Sequence, residues 1–530
     1  MEFDYLIVGG GSAGCVLAAR LSEDPQVRVA LLEAGPPDRS VLVHCPAGIA
    51  ALARTGGVNW NFETVPQAGL GNRRGYQPRG KVLGGSSSVN AMVYARGQRE
   101  DYDAWAAEGN RGWSYADVLP YFKRAEHNER GADDWHGTGG PLNVMDLARP
   151  NPHSADFVAA AVQAGHRANP DFNGAEQEGV GLYQVTHRAG ERCSTAKAYL
   201  GPAANRSNLA VITDAPATRV ILDGRRAIGV EIQQGGERKR LVARREVLLS
   251  AGALQSPQLL MLSGIGPGDQ LRRHGLPTLL DLPGVGANLH DHLDVVQVVD
   301  APALTELFGL SGRGAWQVAQ GAWDWSRHRR GRLTTNFAEA GGFLRSSEDV
   351  ATPDLQLHFV VGKLIDHGRK TVFGHGYSCH VCLLRPKSRG SLRLASPDPM
   401  QPPLIDPDFL GDPDDLDTLV RGFRLMRRIL AQPALARDGG RELEASAQAV
   451  DDEGIRDFIR DHADTIYHPV GTCRMGRRHG DVVDPTLRVR GIAGLRVVDA
   501  SVMPQIVSGN TNAPVIMIAE KAADLIRSNV

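Results

Sequence analysis

A strand, a glycine turn and a helix open this chain in that order, and few folds begin that way. Tyr5-Leu6-Ile7-Val8 is a short apolar run rich in β-branched residues and reads as a buried strand. Gly9-Gly10-Gly11-Ser12-Ala13-Gly14 follows without a gap. Ala13, Val16, Leu17 and Leu21 then fall on one helical face, and Ala18 and Ala19 favour helix. Val27 to Leu32 reads as a second strand ending in Glu33. Each part has a job in a dinucleotide-binding βαβ unit. Gly9 allows the tight turn, Gly11 lets backbone approach a pyrophosphate, and Gly14 lets the helix pack on the strand. Ser12 and Ala13 open the helix, whose N-terminal amides and dipole favour phosphate. Glu33 lies 19 residues beyond Gly14, near the spacing of about 20 expected for the acid that accepts from ribose hydroxyls. A carboxylate there repels a 2′-phosphate, so NADP is disfavoured. The unit leaves both NAD and FAD open.

The charge balance excludes some partners. Lys+Arg total 59 against 60 Asp+Glu among 530 residues, a net charge of -1, so nothing argues for nucleic acid. The basic runs Arg238 to Arg240 and Arg327 to Arg332 read as solvated surface. Six cysteines do not make a disulfide framework at this length. The N-terminus has no basic region or cleavage site, and no apolar run reaches about 18 residues. The best candidate, Val247 to Ile265, is broken by Gln255, Pro257 and Gln258. The expectation is a soluble, cytoplasmic protein.

Two further small-residue stretches follow. Gly80-Lys81-Val82-Leu83-Gly84-Gly85-Ser86-Ser87-Ser88-Val89-Asn90 offers hydroxyls and exposed amides to a phosphate or ring edge. Gly252 through Gly266 follows the apolar strand Val247-Leu248-Leu249-Ser250, so strand–glycine–helix recurs. Near the C-terminus come Tyr467-His468-Pro469-Val470-Gly471-Thr472-Cys473-Arg474-Met475-Gly476, then Val498-Asp499-Ala500-Ser501-Val502-Met503-Pro504, then Gly509-Asn510-Thr511-Asn512-Ala513-Pro514. In this order the stretches resemble the glucose–methanol–choline (GMC) family of FAD-dependent oxidoreductases, over nearly the whole chain. The resemblance implies an α/β, two-domain fold of the α+β kind: a Rossmann-like FAD-binding domain interleaved with a substrate domain of antiparallel sheet backed by helices. Residues 1–300 would be mostly FAD-binding, 301–459 mainly substrate-binding, and 460–530 a return to the FAD domain with the catalytic residues. Strand-like runs at Asp354 to Val361, Ser378 to Leu384 and Leu392 to Ala395, and a helix-like Leu416 to Leu430, fit the middle region. The resemblance also extends the FAD contacts to Trp60, Val82, Gly85, Asn90, Ala91, Met92, Val93, Val220, Tyr467, Asp499 and Ala500.

Flavin oxidation of an alcohol needs the hydroxyl proton removed and a hydride passed to the flavin, with the protein supplying base and geometry. By resemblance His468 is the base and Asn512 its partner in orienting the alcohol oxygen. Pro469 after His468 disfavours helix there. Val89 stands where choline-oxidising members can carry a flavin-linked His, so FAD is expected to be non-covalent. Glu339 reads either as a cavity acid or as a buried Glu bonded to backbone. His290-Asp291-His292 could share a strand face for zinc but lacks a third ligand. In the family no metal sits there, and none is expected. Cys379-His380-Val381-Cys382 puts its cysteines on opposite strand faces, and Cys473 reads as a packed thiol.

Within the family the sequence looks closest to aliphatic-alcohol, polyethylene-glycol and sorbose dehydrogenases. That implies a primary alcohol oxidised to an aldehyde, electrons passed to a quinone or other non-oxygen acceptor, and peripheral contact with the inner membrane. An oxidase making hydrogen peroxide, a sugar or choline dehydrogenase, a redox-silent lyase, and a noncatalytic dinucleotide-binding module are the alternatives.

Overall fold

The opening unit forms as its pattern dictates. A computed structural model describes residues 1–437 and 439–528. The first strand runs Glu2–Val8, the helix Ser12–Leu21 and the second strand Val29–Leu32, which starts two residues later than the apolar run. Leu6, Ile7 and Leu31 are fully buried because both faces of the sheet are covered. Glu2–Val8 lies between Val29–Leu32 and Glu237–Leu249, parallel to both, with Val8 opposite Leu32 and Leu249. Leu209–Ile212 extends the sheet beyond Val29–Leu32, and Leu495–Val497 pairs parallel with Glu237–Leu249. The parallel order is that of a Rossmann sheet, with the phosphate-binding turn at the carboxyl end of its first strand. Glu237–Leu249 is long enough to serve two partners. Its first half pairs antiparallel with Arg226–Gln234, and its second half carries the parallel sheet.

A second sheet is antiparallel throughout. It runs Arg441–Glu442, Leu293–Asp300, Gly374–Leu383, Leu355–Val360, Ala338–Leu344 and Gly179–Leu182. Alternation decides its faces. Leu355, Leu357, Cys379 and Val381 face the helices Pro152–Gln163 and Pro413–Leu430, and join a core with Phe157, Leu419, Phe423 and Met426. Val296, Val298, His358, Val360 and His380 face the other way, into the cavity described below. This sheet does not respect a division at residue 301. Gly179–Leu182 and Leu293–Asp300 come from the N-terminal region, and Asp464–Thr465 joins from the C-terminal one. An antiparallel edge takes whatever strand the chain brings to it.

The helix Pro413–Leu430 is the main cover of that sheet, and fully buried Phe423 packs against Phe458 with ring centroids 5.5 Å apart. Phe423→Ala is expected to cost about 3–5 kcal/mol. The check is a lowered urea midpoint with an unchanged flavin spectrum in the native baseline.

Candidate active site

Between the two sheets lies a cavity of about 1440 Å³, above the roughly 300–1,000 Å³ of ordinary small-molecule sites. Its inner end is built by the opening βαβ unit. Gly9 has φ +101°, and a Cβ on Gly14 would lie 1.9 Å from the Gly9 carbonyl oxygen, so only glycine lets the helix start there. A Cβ on Gly85 would lie 2.7 Å from Gly11 Cα, so the two glycine loops meet back to back, with Gly9, Gly11 and Gly85 lining the cavity. Glu33 closes this end. Its carboxylate accepts from Gly10 N and Gly35 N, both at 2.8 Å, and burial pushes its pKa up to about 7. Trp60 stacks on Phe62 beside it, with Lys81 Nζ 4.4 Å from the Trp60 ring centroid.

The middle is held by polar anchors. Asp499 accepts from Gly252 N at 2.9 Å, Ser256 Oγ at 2.5 Å and Ser501 N at 2.8 Å, and so fixes the helix Gly252–Leu262 to the C-terminal loop beside Ala500. Asn90 Oδ1 accepts from Met92 N at 3.0 Å and Arg192 Nη1 at 2.7 Å. Ala91 accepts from Asn336 Nδ2 at 2.9 Å, and the Val93 backbone bridges Val185.

Most of the residues picked from the sequence line this cavity, from Gly9, Gly11, Ser12, Ala13, Glu33, Trp60, Gly85, Asn90, Ala91, Met92 and Val93 to Tyr467, His468, Asp499, Ala500 and Asn512. Three do not. Gly14 lies beneath the turn, Val82 is fully buried, and the Val220 amide is taken by Ser263 Oγ at 2.8 Å. Ala215, Pro216 and Ala217 line the wall there instead.

The outer end presents His468. Tyr467 precedes it at φ +74°, a left-handed conformation held by Arg79 Nη2, which donates to the Tyr467 carbonyl at 2.6 Å. Asp291 accepts from His468 N at 2.7 Å. The ring's tautomer follows by elimination. His292 Nε2 sits 3.1 Å from the Leu384 carbonyl, which only accepts, so this nitrogen carries the proton. Neutral His292 then accepts at Nδ1, and His468 Nδ1–H donates to it across 3.0 Å. His468 Nε2 is left unprotonated, its lone pair on the cavity side. Burial, with His292, His358 and Arg79 nearby, holds the His468 pKa well below 6.5, so the ring is neutral. A neutral imidazole with Nε2 unprotonated is able to accept a proton.

The partner expected from the sequence needs correction. Asn512 opens the helix Asn512–Arg527 and accepts from Ser12 Oγ at 2.7 Å, at the phosphate end. Asn510, in the loop before the helix, places Nδ2 3.3 Å from His468 Nε2. Its Oδ1 accepts from Gln356 Nε2 at 3.1 Å, which sets the amide's orientation. Two residues at the loop–helix junction thus face different ends of the cavity.

Of the two readings of Glu339, the structure matches the buried Glu bonded to backbone, since it is not part of the cavity wall. Its carboxylate accepts from Asn151 N at 2.6 Å, Ser154 Oγ at 2.8 Å and Thr335 Oγ1 at 2.5 Å, at the start of Pro152–Gln163. Fixing that helix end uses the acceptors a ligand would need. His290, Asp291 and His292 separate likewise, since His290 Nε2 accepts from Ile506 N at 2.9 Å. Asp291 and His292 serve His468 instead. On the sheet, Asp294 is paired with His380 Nδ1. Around them Val296, Val298, Val360, Phe308, Phe337 and Leu364 make an apolar wall.

A ribose-accepting carboxylate, a double glycine cradle at a helix N-terminus and a neutral base beyond it fit the adenosine, pyrophosphate and flavin ring of FAD. Comparison with known proteins agrees. Two family models described as GMC oxidoreductase match residues 3–294 and 386–519. An alcohol dehydrogenase [acceptor] of Pseudomonas putida is 49% identical, over 99% of this chain and 95% of its own. Human mitochondrial choline dehydrogenase is 45% identical, over 99% of this chain and 90% of its own. The crystal structure of pyridoxine 4-oxidase from Mesorbium loti superposes with a TM-score of 0.89 at 33% identity, covering 99% of both chains.

Val89 lines the cavity and has no atom able to bond to a flavin. Acid precipitation of the holoprotein is expected to give a colourless pellet and a yellow supernatant. A yellow pellet would overturn the non-covalent assignment.

Proposed function

This chain belongs to the GMC oxidoreductase family, and on that premise we propose that it oxidises a primary, largely apolar alcohol to the aldehyde and passes the electrons to a quinone or similar acceptor rather than to oxygen. FAD, when bound, supplies the hydride acceptor. The observation that carries the reading is His468 Nε2, neutral and facing Asn510 Nδ2 at the end of an apolar cavity. In the reaction Asn510 Nδ2–H donates to the alcohol oxygen and holds it beside the imidazole. The hydroxyl proton moves to His468 Nε2, and the ring's new charge is shared with His292 through the Nδ1–Nδ1 hydrogen bond. The aldehyde leaves once the carbinol carbon has given up its hydride. Its apolar remainder lies against Val296, Val298 and Val360.

A neutral substrate is favoured over choline in this reading because the wall facing His468 is mainly valine and phenylalanine, and Asp294 on the sheet floor is hydrogen-bonded to His380. The Pseudomonas putida relative's description supports a non-oxygen acceptor. A quinone acceptor is dissolved in lipid, so the reading includes work at the cytoplasmic face of a membrane; no described helix is long and apolar enough to cross one. Residues 1–300 and 460–530 mostly serve the cofactor in this reading, and 301–459 mainly the substrate.

Anaerobic stopped-flow reduction with n-alcohols tests the mechanism. His468→Ala is expected to slow flavin bleaching about 10²-fold or more; near-normal bleaching would rule it out as the base. Asn510→Ala is expected to slow reduction more than Asn512→Ala, and the reverse order would restore Asn512 as the partner. The pH profile has a definite sign. A base whose pKa is held below 6.5 is already deprotonated at neutrality, so reduction is expected to be flat above pH 6.5 and to fall only on more acid titration. Oxygen uptake comparable to dye reduction would replace the dehydrogenase reading with an oxidase one.

A further inference from the structure

The helix Gly312–His328 is built inside out. Its inner face carries Gly314, Gly321 and Trp325, all buried. Trp325 Nε1 donates to the Gly190 carbonyl at 2.8 Å, and Arg329 stacks on that ring and pairs with Glu191 at 2.6 Å. The glycines let the helix lie close, since a Cβ on Gly314 would come within 2.0 Å of the Gly309 carbonyl oxygen. Its outer face is then Ala315, Trp316, Val318, Ala319, Ala322 and Trp323, all exposed. Surface helices ordinarily turn such a stripe inward. Trp316 and Trp323 are 70% and 61% exposed, and Phe373, whose backbone bridges Leu310 at the helix entry, is 77% exposed. Arg313, Arg327 and Arg330 are exposed at its margins. The stripe also reaches the cavity, because Leu310 and Val318 line its mouth.

We infer that this helix is a docking surface for an anionic lipid bilayer, lying in the interface with its tryptophans down and the cavity mouth against the lipid. Tryptophan is suited to the headgroup level, and an apolar helical face flanked by arginine binds anionic membranes in-plane. Charge argues against a second copy of the chain. Twofold packing of the helix on itself would set its arginine margins against the same arginines, and Asp324, an acid of the helix, is already paired with Arg330. The inference extends the membrane part of the proposed function by naming the surface, and its test needs no turnover.

The test is flotation of the holoenzyme with vesicles of phosphatidylcholine alone or mixed with phosphatidylglycerol. Binding is expected only with phosphatidylglycerol present and to weaken as salt rises. The double variant Trp316→Ser/Trp323→Ser is expected to lower vesicle partition about 10-fold or more, and Arg313→Glu/Arg327→Glu to abolish the preference for anionic lipid. Dye-linked oxidation of a water-soluble alcohol is expected to be unchanged in both, so a failed alcohol assay and failed docking stay separate. Absence of wild-type binding overturns the inference. So does a lipid-free dimer of the holoenzyme that the tryptophan substitutions dissociate, which would assign the face to a second copy.

Discussion

The carboxylate of Asp291 is the point on which the reacting end of the cavity depends. It is buried and accepts from Gln77 Nε2 at 2.9 Å, Thr465 Oγ1 at 2.5 Å and His468 N at 2.7 Å. Those donors come from two distant stretches of chain, around residue 77 and at residues 465–468, so one charge ties the cofactor side of the molecule to the loop that carries His468. Burial pushes its pKa up to about 6, and the donors limit that rise. The same loop contains Tyr467 in a left-handed conformation, which persists only where surroundings over-determine it. Asp291 on one side and Arg79 on the other do so. Without the carboxylate, buried donors would be left unpaired and the strained residue would have reason to relax.

Holding the backbone is half of the arrangement, and holding the proton is the other half. His292 is useful to His468 only while its Nδ1 is an acceptor. A protonated His292 would donate from both nitrogens, and His468 Nδ1 would have to accept, which would place the proton on the catalytic nitrogen. Burial lowers the His292 pKa to about 3, so the relay keeps its polarity across physiological pH. A histidine that never charges at neutral pH is thus what leaves its neighbour's lone pair in the cavity.

Regular features were legible in the sequence because each has a local cause. The turn at Gly9 to Gly14, Glu33 at the end of the second strand, and the strand runs around 354 to 361 and 378 to 384 follow from steric and periodic rules. What was missed depends on direction rather than identity. Asn510 and Asn512 stand in one motif, and only the start of a helix between them decides which meets His468. Glu339 was open between cavity acid and buried Glu, and the start of Pro152–Gln163, remote in sequence, decided it. Val220 sits beside the correct wall, but its amide is already taken by Ser263. Arg327 to Arg330 are exposed, as the charge run predicts, but the direction of the apolar stripe before them was not legible in the sequence. Two inner glycines and Trp325 turned that stripe out.

These corrections change how the cavity must choose its substrate. Asp294 on the sheet floor is hydrogen-bonded to His380, and Glu339 lies outside the cavity wall, held at the start of Pro152–Gln163. Selection then falls on the valine and phenylalanine wall and on the Asn510–His468 pair, which recognises only the hydroxyl. An apolar wall discriminates gently, at about 1–3 kcal/mol for each methylene. A site of this kind grades alcohols by length and bulk rather than accepting one and refusing the rest. Apolar alcohols also concentrate in membranes, so under the docking proposed for Gly312–His328 a cavity bordered by exposed tryptophan and phenylalanine would open where such alcohols are most abundant.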